Sequence, residues 1–156
     1  MSEQTLKLIL EFVMAFVSTL GFALLFRMKY RFLPIAALGG TFTYGVYVVV
    51  AALGDSLLLA AVASAFFMTL LSELFARIGK APAIIFLLPF AISIVPGSYL
   101  YYTMSCLLQN DPAYAYYLKA TLQVGIGIAV GISVAMVCVG VFLRLYQLIK
   151  HKKTAQ

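Results

Sequence analysis

The residues best suited to chemistry lie in one apolar stretch, Ala81–Leu108, which Pro89 and Pro96-Gly97 interrupt. Proline lacks an N–H and collides with the carbonyl four residues earlier, so it kinks or breaks a helix. Hydrocarbon holds no water to satisfy the freed carbonyls, and membrane proteins keep such breaks where they are buried in protein or line a wet cavity. The stretch therefore predicts either a kinked structural helix or a site built from two half-helices.

The second half-helix is expected to begin at Ser98, because serine after Pro96-Gly97 is a favoured N-cap. The N–H groups of residues 98–101 would then point toward the middle of the membrane, where a helix N-terminus favours a carboxylate. Discontinuous helices of transporters hold substrates in this way. We therefore predict a substrate-binding site for a small carboxylate, formed by Pro89, Ser93, Pro96, Gly97, Ser98 and Tyr101.

Two further carboxylates lie within apolar segments, and each has a basic neighbour one helical turn away. Glu73 precedes Arg77 at the (i, i+4) spacing that pairs such side chains, and Glu11 follows Lys7. Acidic groups within a span are candidates for coupling transport to an ion. Local pairing near the interface is the simpler interpretation of both, and we retain Glu73 with Arg77 as predicted coupling residues.

Composition identifies the class of protein. The chain of 156 residues is 64% hydrophobic and 10% charged, with a mean hydropathy of +1.05. A soluble domain carries about 25% charged residues, so we predict a single all-α integral membrane domain. The net charge of +6 comes from short basic clusters between apolar segments. These clusters are typical of topology signals, and no nucleic-acid partner is expected.

Other chemistries find little support in the sequence. His151 is the one histidine, there is no CxxC motif, and neither a metal site nor a cofactor is expected. The absence of a GxxxxGK[ST] loop argues against this chain being the ATPase of a pump. An intramembrane enzyme would need paired aspartates, a Ser/His arrangement or a metal site, and none is evident.

We predict five transmembrane helices, the fourth broken by Pro89 and Pro96-Gly97, over residues 5–26, 33–53, 57–76, 82–108 and 114–149. A tight turn at Gly54-Asp55-Ser56 joins the second span to the third. A re-entrant fourth segment is the alternative, and it would reverse the side of everything that follows.

The distribution of basic residues predicts the orientation in the cell membrane. With five spans, Lys7 and Lys119 fall on one side, whereas the other side holds Arg27, Lys29, Arg31, Arg77, Lys80, Arg144, Lys150, Lys152 and Lys153. The positive-inside rule then places the C-terminus in the cytoplasm and the N-terminus outside, and it favours full crossing of the fourth segment.

Small residues four apart predict close helix packing. Gly127, Gly131 and Ala135 share one face of the fifth span, and Ala36 with Gly40 and Ala61 with Ala65 repeat the pattern in the second and third. Such faces let helix backbones approach within one chain, in a homo-oligomer or with another subunit.

The run Phe75–Met104 resembles the signature of the threonine/serine exporter family, specifically the small membrane subunit of its split, two-gene members. The matching residues are Arg77, Pro82, Pro89, Val95, Pro96, Gly97 and Ser98. Ser93 and Ile94 depart from the pattern, since the family usually has Pro-Leu there. The resemblance implies a separate larger membrane partner and export of threonine and serine, or of succinate as in the split relatives.

Two functions follow as hypotheses. The first is a membrane subunit of a secondary exporter of small amino acids or dicarboxylates, with the broken span holding the substrate carboxylate. The second is a membrane scaffold or assembly subunit with no transport path of its own, which close-packed small-residue faces would equally suit.

Overall fold

The computed structural model describes residues 3–54 and 56–154, with the side chains of the last helix described as far as Leu145. Every regular element in these ranges is helical, which confirms the all-α prediction. The elements are α1 (Glu3–Leu25), a 3-10 turn (Tyr30–Phe32), α2 (Leu33–Gly54), α3 (Leu57–Gly79), α4 (Ile84–Ala91), α5 (Gly97–Leu108) and α6 (Tyr114–Thr154). Asp55 of the predicted turn, and the side chains of Lys150, Lys152 and Lys153, lie outside the described part.

Within the part of the chain that the structure describes, four helical segments are long and apolar enough to cross a membrane: Thr5–Leu25, Tyr30–Gly54, Leu57–Gly79 and Tyr114–Leu145. The predicted fourth span consists instead of α4 with 8 residues and α5 with 12. Neither piece alone reaches the roughly 20 residues that a bilayer core requires. The predicted interruption at Pro96-Gly97 is thus observed, and the described residues contain four helices of spanning length, so the count of five is not confirmed.

Pro89 does not break the helix, contrary to the prediction. It lies inside α4 and is buried between Phe86 and Phe90. The missing N–H costs one helical hydrogen bond, yet both phenylalanine rings are fully buried against the neighbouring helices. Tertiary packing therefore outweighs the local preference of proline.

The helices pack in a defined order. α1 lies against α2, α2 against α3, and α3 against α6, while α4 contacts α1, α2 and α3 and α5 contacts α6. Thr19 of α1 faces Gly40 of α2 and Phe12 faces Gly45, so these two helices are antiparallel. α3 and α6 run parallel, because later residues of α6 contact later residues of α3.

Glycines allow the closest helix contacts, as the small-residue faces predicted. A Cβ on Gly127 would lie 2.6 Å from the Ala61 methyl, and one on Gly131 would lie 2.5 Å from the carbonyl oxygen of Val62. Backbone oxygen cannot move aside as a flexible side chain can. The α3–α6 contact therefore depends on glycine at these positions.

Aromatic rings fill the core at the end of the bundle where α2 and α4 begin. Phe86 packs 5.3 Å from Phe32 and 6.1 Å from Phe75, and Phe90 packs 6.4 Å from Phe75, as ring centroids. We call Phe32, Phe75, Phe86 and Phe90 the phenylalanine cluster. It holds α4 against α2 and α3 and so positions the break that follows α4.

Candidate functional site

The helix break occupies residues 92–96, between the end of α4 and the start of α5. The N–H of Ser93 donates to the Phe90 carbonyl at 3.3 Å and that of Ile94 to Ala91 at 3.0 Å, which is the tighter pattern of a 3-10 turn. Pro96 then ends the hydrogen-bonded run, because it has no N–H to donate.

Ser93 anchors the break to α2. Its hydroxyl lies 2.7 Å from the Phe90 carbonyl oxygen and 3.0 Å from the Gly40 carbonyl oxygen, so a single donor serves acceptors on two helices. A carbonyl without a partner is costly inside a membrane protein. The residue at which this sequence departs from the family pattern thus supplies the hydrogen bond that joins α4 to α2.

The second half-helix begins one residue earlier than predicted. The Pro96 carbonyl accepts from the N–H of Leu100 at 3.0 Å, which makes Pro96 the N-cap and Gly97 the first helical residue. Ser98 therefore lies inside the first turn and is not the cap. The N–H of Gly97 donates to Val95 at 2.8 Å, so within the described chain the N–H groups of Ser98 and Tyr99 lack a backbone acceptor.

A cavity of about 480 Å³ opens beside the break, and we call it the central cavity. α1, α2, the break, α5 and α6 contribute its lining: Glu11, Tyr44, Tyr47, Ser93, Ile94, Val95, Pro96, Gly97, Ser98, Tyr99 and Val124. Four of the six predicted site residues meet here. Pro89 is buried inside α4, and Tyr101 points away with 67% of its surface exposed.

The central cavity lies beside the middle of α2. Ser93 contacts Gly40, and Tyr44 and Tyr47 line the cavity, whereas α2 runs from Leu33 to Gly54. At 1.5 Å per residue, these contacts fall roughly 10 to 20 Å along a helix of roughly 33 Å. The break is therefore near the mid-depth of a helix long enough to span the membrane.

Sequence reasoning missed the pairing of Glu11 with Tyr44. The Tyr44 hydroxyl donates to a Glu11 carboxylate oxygen at 2.8 Å, and the Phe12 ring packs edge-on against Tyr44 with centroids 5.6 Å apart. Among the described residues no ion pair joins Glu11 to Lys7, so the local spacing was misleading. The spacing of Tyr44 and Tyr47, three residues apart in an apolar span, was the sequence feature that indicated polar groups on one face of α2.

The predicted pair of Glu73 and Arg77 does form, with nitrogen and oxygen 3.3 Å apart. It lies away from the central cavity. Both side chains line an apolar groove of about 610 Å³ between α3 and α6, and a second groove of about 490 Å³ that Lys80 and Pro82 also line. The structure therefore separates the predicted coupling residues from the predicted binding residues.

A further cavity of about 420 Å³, the outer cavity, lies beside the first turns of α3 and α6. Ser56, Lys119 and Gln123 give it a polar lining, and Tyr99 lines both this cavity and the central one. Toward the start of α4, by contrast, the buried rings of Phe86 and Phe90 fill the space.

Four described helices long and apolar enough to cross a membrane indicate a membrane protein. The chain belongs to the threonine/serine exporter family, because the family profile described as "Threonine/Serine exporter, ThrE" matches residues 11–139 of the 156. The resemblance noted in the sequence is thereby confirmed, and the role is transport of the threonine/serine exporter type. Neither a curated protein nor a solved structure matches the chain.

Proposed function

We propose that this protein is a membrane subunit of a secondary exporter that moves small amino acids, threonine and serine, or dicarboxylates such as succinate. It would act with a larger membrane partner of the same family. The observation that carries this proposal is the central cavity, where an interrupted helix exposes N–H groups at the mid-depth of α2.

The substrate carboxylate is proposed to bind at the start of α5. The N–H groups of Ser98 and Tyr99 are not used by the backbone, and a helix N-terminus carries partial positive charge. Pro96 and Gly97 keep the chain unwound beside the ligand, and Ser93 holds the break to α2. Pro89 and Tyr101 would support the site from outside the cavity.

Five crossings are proposed, with α4, the break and α5 together forming the fourth. α4 packs near the start of α2, where Phe90 contacts Gly39, whereas α5 packs near the start of α6, where Tyr102 stacks on Tyr117 with centroids 5.2 Å apart. α2 begins on the side with more basic residues, and α6 begins on the other. This supports a fully crossing fourth segment in the cell membrane, with the N-terminus outside and the C-terminus in the cytoplasm.

Glu73 and Arg77 are proposed to assist at the cytoplasmic entrance. Arg77 and Lys80 line the same groove and would attract a carboxylate arriving from the cytoplasm, while Glu73 fixes the position of Arg77. The partner is proposed to cover the open side of the central cavity. The described structure leaves α5 without a buried residue and leaves Glu11 exposed, which supports further subunits or a second copy on this side.

Export from preloaded membrane vesicles tests the proposal. Gly97→Leu places a bulky side chain in the central cavity, and Gly125→Leu is the matched control, because neither glycine has an atom near its added Cβ. We expect Gly97→Leu to reduce threonine or succinate export at least tenfold, and Gly125→Leu to retain it. Normal export by a Gly97→Leu variant that still assembles would contradict the binding site. A chain that assembles a complex but can be removed without loss of export would instead support the scaffold alternative.

A further inference from the structure

Glu11 is the charged side chain in the lining of the central cavity. It lies on α1, six residues after the start of the apolar segment Thr5–Leu25, and therefore about 9 Å from the end of that segment. Placing a carboxylate at such a depth in the membrane costs free energy, so ionisable residues there are usually functional.

No positive charge compensates Glu11 within the described chain. Its hydrogen-bond donor is the hydroxyl of Tyr44, 2.8 Å away. The other titratable groups lining the cavity are the phenols of Tyr47 on α2 and Tyr99 on α5, and Lys7 on the same helix forms no ion pair with it. The cavity thus carries one negative charge and donors for a carboxylate, but no cation of its own.

We propose that Glu11 binds one positive group at a time, either the ammonium of an amino-acid substrate or the coupling proton. The inference rests on the proposed function and deepens it. When the substrate leaves, its ammonium takes its own three protons with it, and a proton adds to one carboxylate oxygen of Glu11 to form an O–H bond. No electrons are transferred, and Tyr44 continues to donate to the other oxygen.

Competition at one carboxylate couples the two movements when the state with an empty, ionised Glu11 does not change sides. A proton arriving at the cavity displaces the substrate, and a substrate arriving from the cytoplasm displaces the proton, so that each transport cycle moves one against the other. The same carboxylate selects the substrate class. A zwitterionic amino acid presents an ammonium to Glu11 and a carboxylate to the start of α5, whereas a dicarboxylate presents only groups that ionised Glu11 repels.

Binding of radiolabelled threonine between pH 5 and pH 8 tests the inference. The full chain is purified in detergent with any subunit that remains bound. In the unaltered protein we expect affinity to fall as the pH is lowered, because a proton competes with the substrate ammonium for the same carboxylate. Glu11→Gln should bind more weakly and equally at every pH. Glu11→Asp should keep the pH dependence, and Asp111→Asn, which alters an exposed carboxylate between α5 and α6 outside the central cavity, should keep the original profile.

A ligand comparison makes the same test without any substitution. N-acetylthreonine retains the carboxylate but has no ammonium, so its binding should not weaken in acid. An unchanged pH profile in Glu11→Gln, a lost profile in Asp111→Asn, or equal acid sensitivity of threonine and N-acetylthreonine would each overturn the inference alone. Absence of threonine and succinate binding at every pH would overturn the proposed function as well.

Discussion

Two regions of the molecule each hold one carboxylate of the apolar spans: the α3–α6 pair holds Glu73, and the region around the central cavity holds Glu11. The two carboxylates have different hydrogen-bonding partners. Glu73 lies on the closely packed pair and is neutralised by Arg77, 3.3 Å away. Glu11 lies in the open region, where a neutral Tyr44 hydroxyl is its donor. A carboxylate with a cation one turn away is satisfied by its own helix, whereas one without such a partner stays available for a proton or a ligand. Among the described residues, the two carboxylates thus differ in their surroundings: Glu73 has a cation as its partner and Glu11 has a neutral hydroxyl.

The largest expected effect is on the closely packed α3–α6 pair. Gly131→Leu would drive a side chain into the Val62 carbonyl, 2.5 Å from the new Cβ, and so force α6 away from α3. We expect a loss of about 3 kcal/mol or more of stability, at the upper end of overpacking effects. Denaturant titration in mixed micelles measures it. Gly140→Leu is the control, because its Cβ would meet open space; equal stability of the two variants would contradict the packing argument.

A smaller effect is expected at the junction of the two regions. Ser93→Ala removes the hydroxyl that reaches the Gly40 and Phe90 carbonyls, and the loss of each such hydrogen bond costs about 0.5–1.5 kcal/mol. Faster hydrogen exchange in residues 92–100 should accompany the loss. Ser133→Ala serves for comparison, since its hydroxyl bonds only its own helix at an exposed site, and it should leave exchange at the break unchanged.

Tyr44→Phe tests the hydrogen bond to Glu11 beside the central cavity. It keeps the ring that packs on Phe12 and deletes the hydrogen bond to Glu11, so we expect about 1 kcal/mol less stability. The decisive measurement is a double-mutant cycle with Glu11→Gln. Strictly additive losses would mean that the 2.8 Å contact contributes nothing.

The smallest effect is expected at Glu73. Its partner Arg77 is 49% exposed, and exposed helical pairs contribute about 0.3–0.5 kcal/mol, so Glu73→Gln should barely change the thermal midpoint. Raised salt should reduce even this difference. A loss of more than about 1 kcal/mol would mean that the Glu73–Arg77 pair stabilises the fold more than an exposed helical pair does.

Features that depend on residues close together in the sequence could be predicted, whereas contacts between residues far apart in the sequence could not. The interruption at Pro96-Gly97 and the Glu73–Arg77 pair depend on residues at most four apart, and both were predicted. Pro89 was misread because buried packing of Phe86 and Phe90 overrides its local preference.

Two other details of the site escaped sequence reasoning for the same kind of reason. Ser98 was misread because the Pro96 carbonyl already accepts the first helical bond. Glu11 was assigned to Lys7 because its real partner, Tyr44, is 33 positions away, and nothing in one sequence fixes which faces of α1 and α2 meet.

Tyr99 makes the two ends of the central cavity unequal. Its single ring stands between the central and outer cavities, whereas the phenylalanine cluster closes the opposite end. Turning one partly exposed side chain changes two torsion angles and takes roughly picoseconds to nanoseconds, but displacing the buried phenylalanines requires α4 to separate from α2 and α3. The central cavity is thus bounded by one side chain toward the start of α6 and by the packed rings of several elements toward the start of α4.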